Sequence, residues 1–478
     1  MNKIYHNLIA GEWIGTDASK NISPSDTNDV VGEYARASVD EVKMALAAAR
    51  AAFPSWARSG ILERNSVLKK TADEILARKD ELGKLLAREE GKTLPEATGE
   101  VLRAAQIFDF FAGETLRLAG ELVPSARPNI GVEITREPLG VIGIITPWNF
   151  PIAIPAWKIA PALAYGNTVV FKPADLVPGC AWAIVDILHR NGLPKGVLNL
   201  VMGRGSVVGQ AMLDSPDLAG VTFTGSTATG RRVALSSIEH NRKFQLEMGG
   251  KNPMVVLDDA DLSVAVEAAA NSSFYSTGQR CTASSRLIVT EGIHNRFVSA
   301  LTERLQSLTV DNALKEGTHI GPVVDEKQLK TDIDYIEIGK SEGAKLAFGG
   351  ELVKRETPGF YLQPTLFTEA TNQMRISREE IFGPVASVIR VRDYDEALAV
   401  ANDTPFGLSA GIATTSLKHA THFKRNSEAG MVMVNLPTAG VDFHVPFGGR
   451  KASSFGPREQ GRYANEFFTT VKTAYTLA

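Results

Sequence analysis

The sequence predicts an α/β protein with a doubly wound parallel-sheet domain, a second α/β domain and a small β arm. From residue 139 onward, short apolar β-rich segments alternate with helical stretches, which is typical of a parallel sheet covered on both faces. The length of 478 residues corresponds to roughly three units of ordinary domain size. Two further segments with strand-like residues fit neither domain, and these predict the arm.

Charge and cysteine content exclude several classes of protein. Lys and Arg number 51 against 54 Asp and Glu, so neither nucleic acid nor an anionic membrane is expected as a partner. Two cysteines, Cys180 and Cys281, are too few for a disulfide framework, and the eight histidines form no ligand cluster, so we predict no metal. The polar N-terminus lacks a signal-peptide pattern, and we expect a cytoplasmic protein.

The first third of the chain has helical periodicity, with apolar residues on one face and charges on the other. This pattern predicts helices at 39–57, 61–86 and 96–118. A hairpin is predicted at 123–137, and a final strand at 467–477. Because exposed strand edges are pairing surfaces, these last two segments predict oligomerisation.

The alternating region predicts the strands and helices of two successive domains. In the first domain, strands are expected at 141–146, 168–172, 197–201, 221–224 and 254–258, and helices at 153–165, 179–189, 207–213 and 227–236. In the second, from about residue 261 to 446, strands are expected at 286–290, 386–391 and 431–434, and helices at 293–308 and 394–401. We assign residues 1–122 and 138–250 to the first domain, 251–450 to the second, and 123–137 and 460–478 to the arm.

Residues 141–166 resemble a membrane span because Lys158 is their only charge. Four prolines would break a continuous helix in this segment. A buried strand, a turn and a buried helix are therefore expected instead.

Cys281 is the candidate nucleophile. Gly278 permits a tight turn before it, and the charge of Arg280 favours a thiolate. A lone cysteine is more often a small packing residue, and we expect that role for Cys180. Arg280 itself has three open roles: binding a substrate carboxylate, forming a structural ion pair, or activating the thiol.

Two polar residues follow predicted strands, where doubly wound sheets bind ligands. Glu247 ends an apolar strand before two glycines, and burial there would raise its pKa and suit a general base. The alternative is a solvated strand end. Asn149 carries an amide that can stabilise an oxyanion, or it can cap the following helix.

Nucleotide-binding signals are weak when each is taken alone. Gly225 and Ser226 open a helix after a strand without the usual glycine-rich fingerprint, yet the helix N-terminus can hold a pyrophosphate. Lys172 and Asp175 end the neighbouring strand and can hold a ribose.

Seven motifs taken in order resemble the aldehyde dehydrogenase superfamily over nearly the whole chain. They are Thr146-Pro-Trp-Asn-Phe-Pro, Phe171-Lys-Pro-Ala, Phe223-Thr-Gly-Ser, Leu246-Glu-Met-Gly-Gly, Gly278-Gln-Arg-Cys, Glu379-Glu-Ile-Phe-Gly-Pro-Val and Pro446-Phe-Gly-Gly. One departure is Met248, where the family usually has Leu, a swap that conserves volume.

The resemblance implies a catalytic cycle with two chemical steps. Cys281 attacks the aldehyde, the Asn149 amide and the Cys281 backbone N–H hold the oxyanion, and Glu247 activates the water that hydrolyses the thioester. The cofactor would be NAD, with NADP as an alternative, and the arm would form subunit contacts. By the same resemblance the cofactor contacts are Thr146, Trp148, Lys172, Asp175, Gly205, Gly209, Gly225, Ser226, Glu380 and Phe382, and the substrate contacts are Arg280, Phe150 and Trp157.

The motif around Cys281 and the segment 444–461 are similar to the branch of the family that acts on 2-oxoglutarate semialdehyde (2,5-dioxopentanoate). A small carboxylated aldehyde is therefore the expected substrate, because Arg suits a carboxylate. The alternatives are succinate semialdehyde, broad aliphatic aldehydes, a CoA-acylating dehydrogenase and a non-catalytic relative. Glu247 argues against CoA acylation, which needs no hydrolytic base.

Overall fold

The computed structural model describes residues 3–477. The chain opens with five short strands that the sequence analysis did not predict. They are β1 (Ile4–Tyr5), β2 (Asn7–Ile9), β3 (Glu12–Ile14), β4 (Ala18–Ser23) and β5 (Asp26–Ala35). β1, β5 and β4 form a small sheet, while β2 and β3 form an antiparallel pair.

Four helices follow: the first packs on one face of the sheet of the first domain, and the other three pack on the opposite face. They are α1 (Val39–Ala57), α2 (Ile61–Ala77), α3 (Lys79–Glu90) and α4 (Leu94–Glu114). α1 has the predicted bounds and begins at Ser38, which forms a capping box with Glu41. The single helix predicted at 61–86 is wrong: two helices meet at Arg78, which adopts φ −99° and ψ 16° and hydrogen-bonds Glu74 and Glu81.

The doubly wound fold is confirmed in the next part of the chain. Its elements are β6 (Glu121–Pro124), β7 (Ile130–Pro138), β8 (Val141–Ile145), α5 (Ala153–Ala164), β9 (Thr168–Lys172), α6 (Pro178–Arg190), β10 (Leu198–Leu200), α7 (Gln210–Leu213), β11 (Gly220–Thr224), α8 (Thr227–Glu239) and β12 (Lys243–Glu247). Five parallel strands run in the order β12-β11-β8-β9-β10, and β2 and β3 extend the sheet beyond β10. The strand order reverses beside β8, which opens a crevice at the carboxyl ends of β8 and β11.

Two sequence interpretations in this region are settled. Residues 141–166 form strand β8, a turn and buried helix α5, as predicted, and no helix within residues 3–477 is long and apolar enough to cross a membrane. The helix predicted at 207–213 instead starts with a π-helical turn at Gly205–Gly209 and continues as α7.

The second α/β unit contains a seven-stranded sheet. Its elements are β13 (Pro253–Val256), α9 (Leu262–Phe274), β14 (Arg286–Thr290), α10 (Glu291–Gln306), α11 (Glu326–Ser341), β15 (Lys345–Phe348), β16 (Thr365–Ala370), α12 (Arg375–Arg378), β17 (Val385–Val391), α13 (Tyr394–Asn402), β18 (Ser409–Ala413), α14 (Leu417–Asn426) and β19 (Met431–Val434). The strand order is β15-β16-β17-β14-β13-β18-β19, and only the β15–β16 pair is antiparallel. The strand predicted at 254–258 in the first domain is β13, which pairs with β14 and β18 in this second sheet instead. Both faces of this sheet are covered by mostly aliphatic side chains, which explains why β13, β14, β17 and β19 were predicted from apolar runs.

The chain ends with β20 (Ser454–Phe455), α15 (Asn465–Phe468) and β21 (Thr469–Leu477). β20 pairs with β12 and places Ser454 opposite Glu247. β21 pairs antiparallel with β7 over nine residues, and β6 completes a three-stranded sheet. The predicted hairpin and final strand are thus confirmed as one small sheet, which we call the arm.

Candidate active site

A sharp bend precedes Cys281. After α9 the backbone passes through left-handed conformations at Ser276, Thr277 and Gly278, with φ of 50°, 56° and 66°. Glu96 accepts hydrogen bonds from the Ser276 backbone N–H at 2.8 Å and from its hydroxyl at 3.1 Å, which stabilises this strained turn. A Cβ on Gly278 would lie 2.2 Å from the Gly383 carbonyl oxygen, so only glycine fits there.

Cys281 lies where two cavities meet. One has a volume of about 360 Å³ and lies between α4, α5 and the Cys281 loop. The other, of about 220 Å³, extends from Cys281 toward the carboxyl ends of β8 and β11. A thiol at this junction can react with a molecule in one cavity while a second molecule in the other cavity contacts the same carbon.

The surroundings of Cys281 correct one expectation from the sequence. Arg280 does not act as a free charge beside the thiol, because its guanidinium pairs with Glu96 at 3.0 Å and also donates to Asn271. Desolvation, followed by the charge of Glu247, raises the pKa of Cys281 to about 12. Its proton must therefore be removed as the sulfur attacks. Cys180 is fully buried, in keeping with the packing role expected for it.

Asn149 lies beside the nucleophile and caps no helix. Its side-chain amide donates to the Gln279 carbonyl at 3.0 Å, two residues before Cys281. The first turn of α5 is capped instead by Glu100, which accepts from the backbone N–H groups of Ile152 and Ala153 at 2.9 and 3.0 Å. Because an amide carries two N–H donors, Asn149 has one left for an oxyanion.

Glu247 is buried at the end of β12, so the alternative of a solvated strand end is wrong. Desolvation is the largest cause that raises its pKa well above the ordinary value, and the charge of Glu459 adds to it. The Ser454 hydroxyl donates to the Glu247 carboxylate and opposes this rise. A carboxylate of raised pKa near Cys281 suits a general base.

A chain of buried polar groups extends away from Glu247, and the sequence analysis did not predict it. Gln245 contacts Glu247 at 3.5 Å and accepts from Thr222 at 2.5 Å. Lys158 donates to Thr222 at 2.7 Å and forms an ion pair with Glu459. Lys158 was the sequence feature that could have indicated these buried polar groups, because a single charge within a long apolar segment needs a buried partner.

The smaller cavity contains five of the ten residues predicted to bind the cofactor. Trp148 and Phe382 stand edge to face on its wall, with ring centroids 5.3 Å apart. Gly225 and Ser226 lie at the start of α8, and Ser226 is the N-cap of that helix. Glu380 is half-buried in the same wall and accepts from the Gly250 backbone N–H at 2.8 Å.

The remaining cofactor candidates lie around the same sheet edge. Lys172 is buried at the end of β9 and pairs with the more exposed Asp175 at 3.1 Å. Thr146 follows β8, and its buried hydroxyl has no hydrogen-bond partner among the described residues. Gly205 and Gly209 line the turn after β10, and a Cβ at either would meet nothing within 4 Å, so packing does not demand glycine there.

These features fit a dinucleotide. The Thr224 hydroxyl, like that of Thr146, has no hydrogen-bond partner among the described residues. Thr224 ends β11 and lines the cavity. Two buried donors without partners are costly unless a ligand satisfies them. Within residues 3–477 no cluster of three or more His, Cys, Asp or Glu side chains is arranged to hold a metal ion.

The larger cavity contains the three predicted substrate residues, Phe150, Trp157 and Arg280. Four charged residues that were not predicted from the sequence also line this cavity: Lys92, Glu96, Glu100 and Arg103. Three of these lie on α4 at positions i, i+4 and i+7, which is one face of a helix. That spacing was visible in the sequence, but a charged helix face is usually exposed to solvent.

A thiol with an amide donor and a buried carboxylate beside it, next to a cavity at the carboxyl ends of parallel strands, is the arrangement of a cysteine-dependent dehydrogenase. Residues 13–474 match the aldehyde dehydrogenase family, and the chain belongs to that family.

The relatives include two curated enzymes and a solved structure. The chain is 45% identical over 476 residues to alpha-ketoglutaric semialdehyde dehydrogenase of Bacillus subtilis, covering 98% of each chain. It is 41% identical over 478 residues to 2,5-dioxopentanoate dehydrogenase of Saccharolobus solfataricus, covering 99% of each. The structure of betaine aldehyde dehydrogenase from Staphylococcus aureus in complex with NAD+ superposes with a TM-score of 0.96 at 32% identity, covering 99% of this chain and 94% of that one.

Proposed function

We propose that this protein oxidises 2,5-dioxopentanoate to 2-oxoglutarate, using NAD or NADP and one water molecule. The observation that carries the proposal is the position of Cys281 at the junction of two cavities, with Asn149 on one side and buried Glu247 nearby. The two relatives named for this same substrate support the choice of aldehyde.

In the proposed first step the Cys281 sulfur attacks the aldehyde carbon, the carbonyl oxygen becomes an oxyanion, and the thiol proton passes to solvent. The oxyanion receives hydrogen bonds from the free N–H of the Asn149 amide and from the Cys281 backbone N–H. When bound, the nicotinamide cofactor supplies the hydride acceptor that converts the thiohemiacetal to a thioester.

In the second step Glu247 takes a proton from water, and the resulting hydroxide attacks the thioester carbon. The carbon–sulfur bond breaks, the acid leaves, and the Cys281 thiol is restored. Burial suits Glu247 to this step, because a carboxylate of raised pKa is a stronger base.

We assign Trp148, Glu380 and Phe382 to the nicotinamide end of the cofactor and Gly225 and Ser226, at the start of α8, to the pyrophosphate, because all five line the cavity that ends at Cys281. The other members of the proposed contact set, toward the phosphates and the adenosine ribose, are Thr146, Lys172, Asp175, Gly205 and Gly209. Phe150, Trp157 and Arg280 are assigned to the substrate.

The decisive experiment is a panel of kcat/KM values for 2,5-dioxopentanoate, succinate semialdehyde and pentanal with each cofactor. We expect 2,5-dioxopentanoate to be preferred over pentanal, which has the same chain length without the carboxylate. Product analysis with and without CoA separates hydrolysis from acyl transfer, and formation of an acyl-CoA product would overturn the role of Glu247. A preference for pentanal would overturn the proposed substrate but not the dehydrogenase.

We further propose that the arm joins copies of this chain into a homodimer or homotetramer. Its sheet exposes Leu122, Tyr475 and Leu477, which are 82%, 62% and 74% accessible, and a row of such side chains favours self-association. Tyr475→Lys should lower the mass measured by analytical ultracentrifugation. The exposed substitution Leu62→Lys on α2 is the matched control and should leave the mass unchanged.

The division into a dinucleotide-binding domain, a catalytic domain and the arm at the boundaries given above is also proposed. The two cysteines of the chain are free, as is usual in a reducing compartment, and this supports a proposed cytoplasmic location.

A further inference from the structure

One face of α4 forms a wall of the larger cavity. Glu96, Gly99, Glu100 and Arg103 occupy positions i, i+3, i+4 and i+7 of the helix, and all four line the cavity. A Cβ on Gly99 would meet nothing within 4 Å, so the space in front of this face is open. A small molecule that reaches Cys281 from this side must pass along α4.

The cavity wall carries three cations and two carboxylates. Two of the cations form ion pairs with the two carboxylates, and the third does not. Lys92 pairs with Glu100 at 2.7 Å, and both side chains are buried. Arg280 pairs with Glu96 at 3.0 Å. Arg103 has no carboxylate oxygen within 4.0 Å among residues 3–477. Glu100 and Asp442 act on its charge only at longer range, so the cavity presents one cation that has no directly paired carboxylate.

The guanidinium of Arg103 is held in place but is poorly satisfied. It donates to the Gln460 side-chain carbonyl at 3.1 Å and lies 5.7 Å from the centroid of the Trp157 ring. Its Nε atom is buried without a hydrogen-bond partner, and so is the Nε2 atom of Gln460 beside it. Buried donors without acceptors cost free energy unless a ligand supplies the acceptor.

Burial also acts on the charge of Arg103. Desolvation is the largest cause that lowers the pKa of its guanidinium. A bound anion would oppose that effect, whereas a neutral ligand would not.

We propose that Arg103 binds the distal carboxylate of the aldehyde substrate, with Gln460 and Trp157 holding its guanidinium in position. Arg280, whose charge is already paired with Glu96, then stabilises the bend before Cys281 and forms part of the cavity wall. This inference rests on the proposed function. It names the residue that would distinguish 2,5-dioxopentanoate from an uncharged aldehyde of equal length.

The test compares 2,5-dioxopentanoate with pentanal in wild type, Arg103→Gln and Arg103→Lys. A charged hydrogen bond to a carboxylate changes kcat/KM by roughly 10- to 150-fold. We expect Arg103→Gln to lower the ratio of the two kcat/KM values by about that factor, mainly through KM for 2,5-dioxopentanoate, and Arg103→Lys to restore part of it. Arg50→Gln removes an exposed arginine that pairs with Asp217 and serves as the matched control, with the ratio unchanged.

A second measurement needs no carboxylated aldehyde. Glutarate should inhibit pentanal oxidation competitively in the wild type, and its inhibition constant should rise by a similar factor in Arg103→Gln. Equal losses on both substrates, together with unchanged glutarate inhibition, would overturn the role of Arg103 and leave the proposed reaction intact. A wild type that shows no preference for 2,5-dioxopentanoate would overturn the proposed substrate, while glutarate inhibition would still decide whether Arg103 binds anions.

Discussion

The Asn149 side-chain amide is hydrogen-bonded to the Gln279 carbonyl at 3.0 Å, which ties the turn after β8 to the loop that carries Cys281. The backbone carbonyl of Asn149 in turn accepts from Lys92 at 2.8 Å, so the residue is fixed from two directions. A donor held in this way needs no reorganisation when an oxyanion forms beside it, which is the condition for effective electrostatic stabilisation.

Asn149→Ala should therefore lower kcat by about 10²–10³-fold, the usual effect of removing one oxyanion donor. Asn149→Asp should be at least as impaired, because its carboxylate would repel the oxyanion. Steady-state kinetics with the preferred aldehyde measure both effects. The control is Asn426→Ala on exposed helix α14, which should keep wild-type kcat. Wild-type turnover in Asn149→Ala would remove the amide from the mechanism.

Glu247→Gln should separate the two chemical steps. Hydride transfer precedes the attack of water, so the variant should retain a stopped-flow burst of reduced cofactor. Its steady-state turnover should fall by roughly 10²–10⁴-fold, the typical contribution of a general base. Cys281→Ala is the matched control, because it cannot form the thioester and should show neither burst nor turnover. Full turnover in Glu247→Gln would contradict the assignment.

Ser454→Ala should shift the pH dependence of thioester hydrolysis. Glu247 acts as a base only when ionised, so the rate rises with pH through its pKa. The Ser454 hydroxyl bonds the ionised form and lowers that pKa against the larger effect of burial. Its removal should move the rising limb of the kcat–pH profile to higher pH, whereas Ser341→Ala, at an exposed helix end, should not. A shift to lower pH would show that Ser454 does not stabilise the carboxylate.

How far the sequence predicted this molecule depends on the type of element. The five parallel strands of the first sheet and four strands of the second, β13, β14, β17 and β19, were predicted because each is an apolar run between helical segments. β15, β16 and β18 were not predicted. β1, β2 and β3 were not predicted because they have only two or three residues each, too few to show a period. The break at Arg78 was hidden because the apolar spacing continues across it.

The catalytic residues were predictable for a topological reason. Asn149 and Glu247 follow parallel strands, whose carboxyl ends meet at one edge of a sheet. The charged residues of α4 were not predictable in the same way. Glu100 looks like a solvent-facing helix residue, yet it pairs with buried Lys92 and caps α5, contacts that depend on how separate helices pack.

Cofactor preference should depend on Asp175. Its carboxylate lies 3.1 Å from the Lys172 ammonium and is 41% exposed, so solvent screens its field. It would accept from a ribose 2′-hydroxyl and repel a 2′-phosphate, an effect of about 1 kcal/mol at contact distance in a well-screened site. Asp175→Ser should raise kcat/KM for NADP relative to NAD by roughly 5-fold. Asp217→Ser removes a surface carboxylate elsewhere and is the control. An unchanged ratio would show that Asp175 does not face the ribose.

Glu90 should make the protein less stable at alkaline pH. Its carboxylate is buried at the end of α3, where Oε2 accepts from the Lys92 backbone N–H at 2.9 Å and Oε1 has no partner among the described residues. Desolvation raises its pKa to about 8 from an ordinary value of 4.5. The unfolded chain therefore ionises first, and stability is lost as pH rises between these two values.

Glu90→Gln removes this titration while it preserves the shape of the side chain and the hydrogen bond from Lys92. At pH 5 the melting temperatures of the two proteins should differ little from each other. At pH 8 the melting temperature of the variant should exceed that of the wild type by about 2–4 °C. Each pKa unit corresponds to about 1.4 kcal/mol, and a long chain shifts its melting temperature by only a small amount per kcal/mol. Glu63→Gln, on the exposed first turn of α2, should follow the wild type at both pH values. If the difference in melting temperature between Glu90→Gln and the wild type stayed constant from pH 5 to 8, the carboxyl of Glu90 would not be the group that ionises.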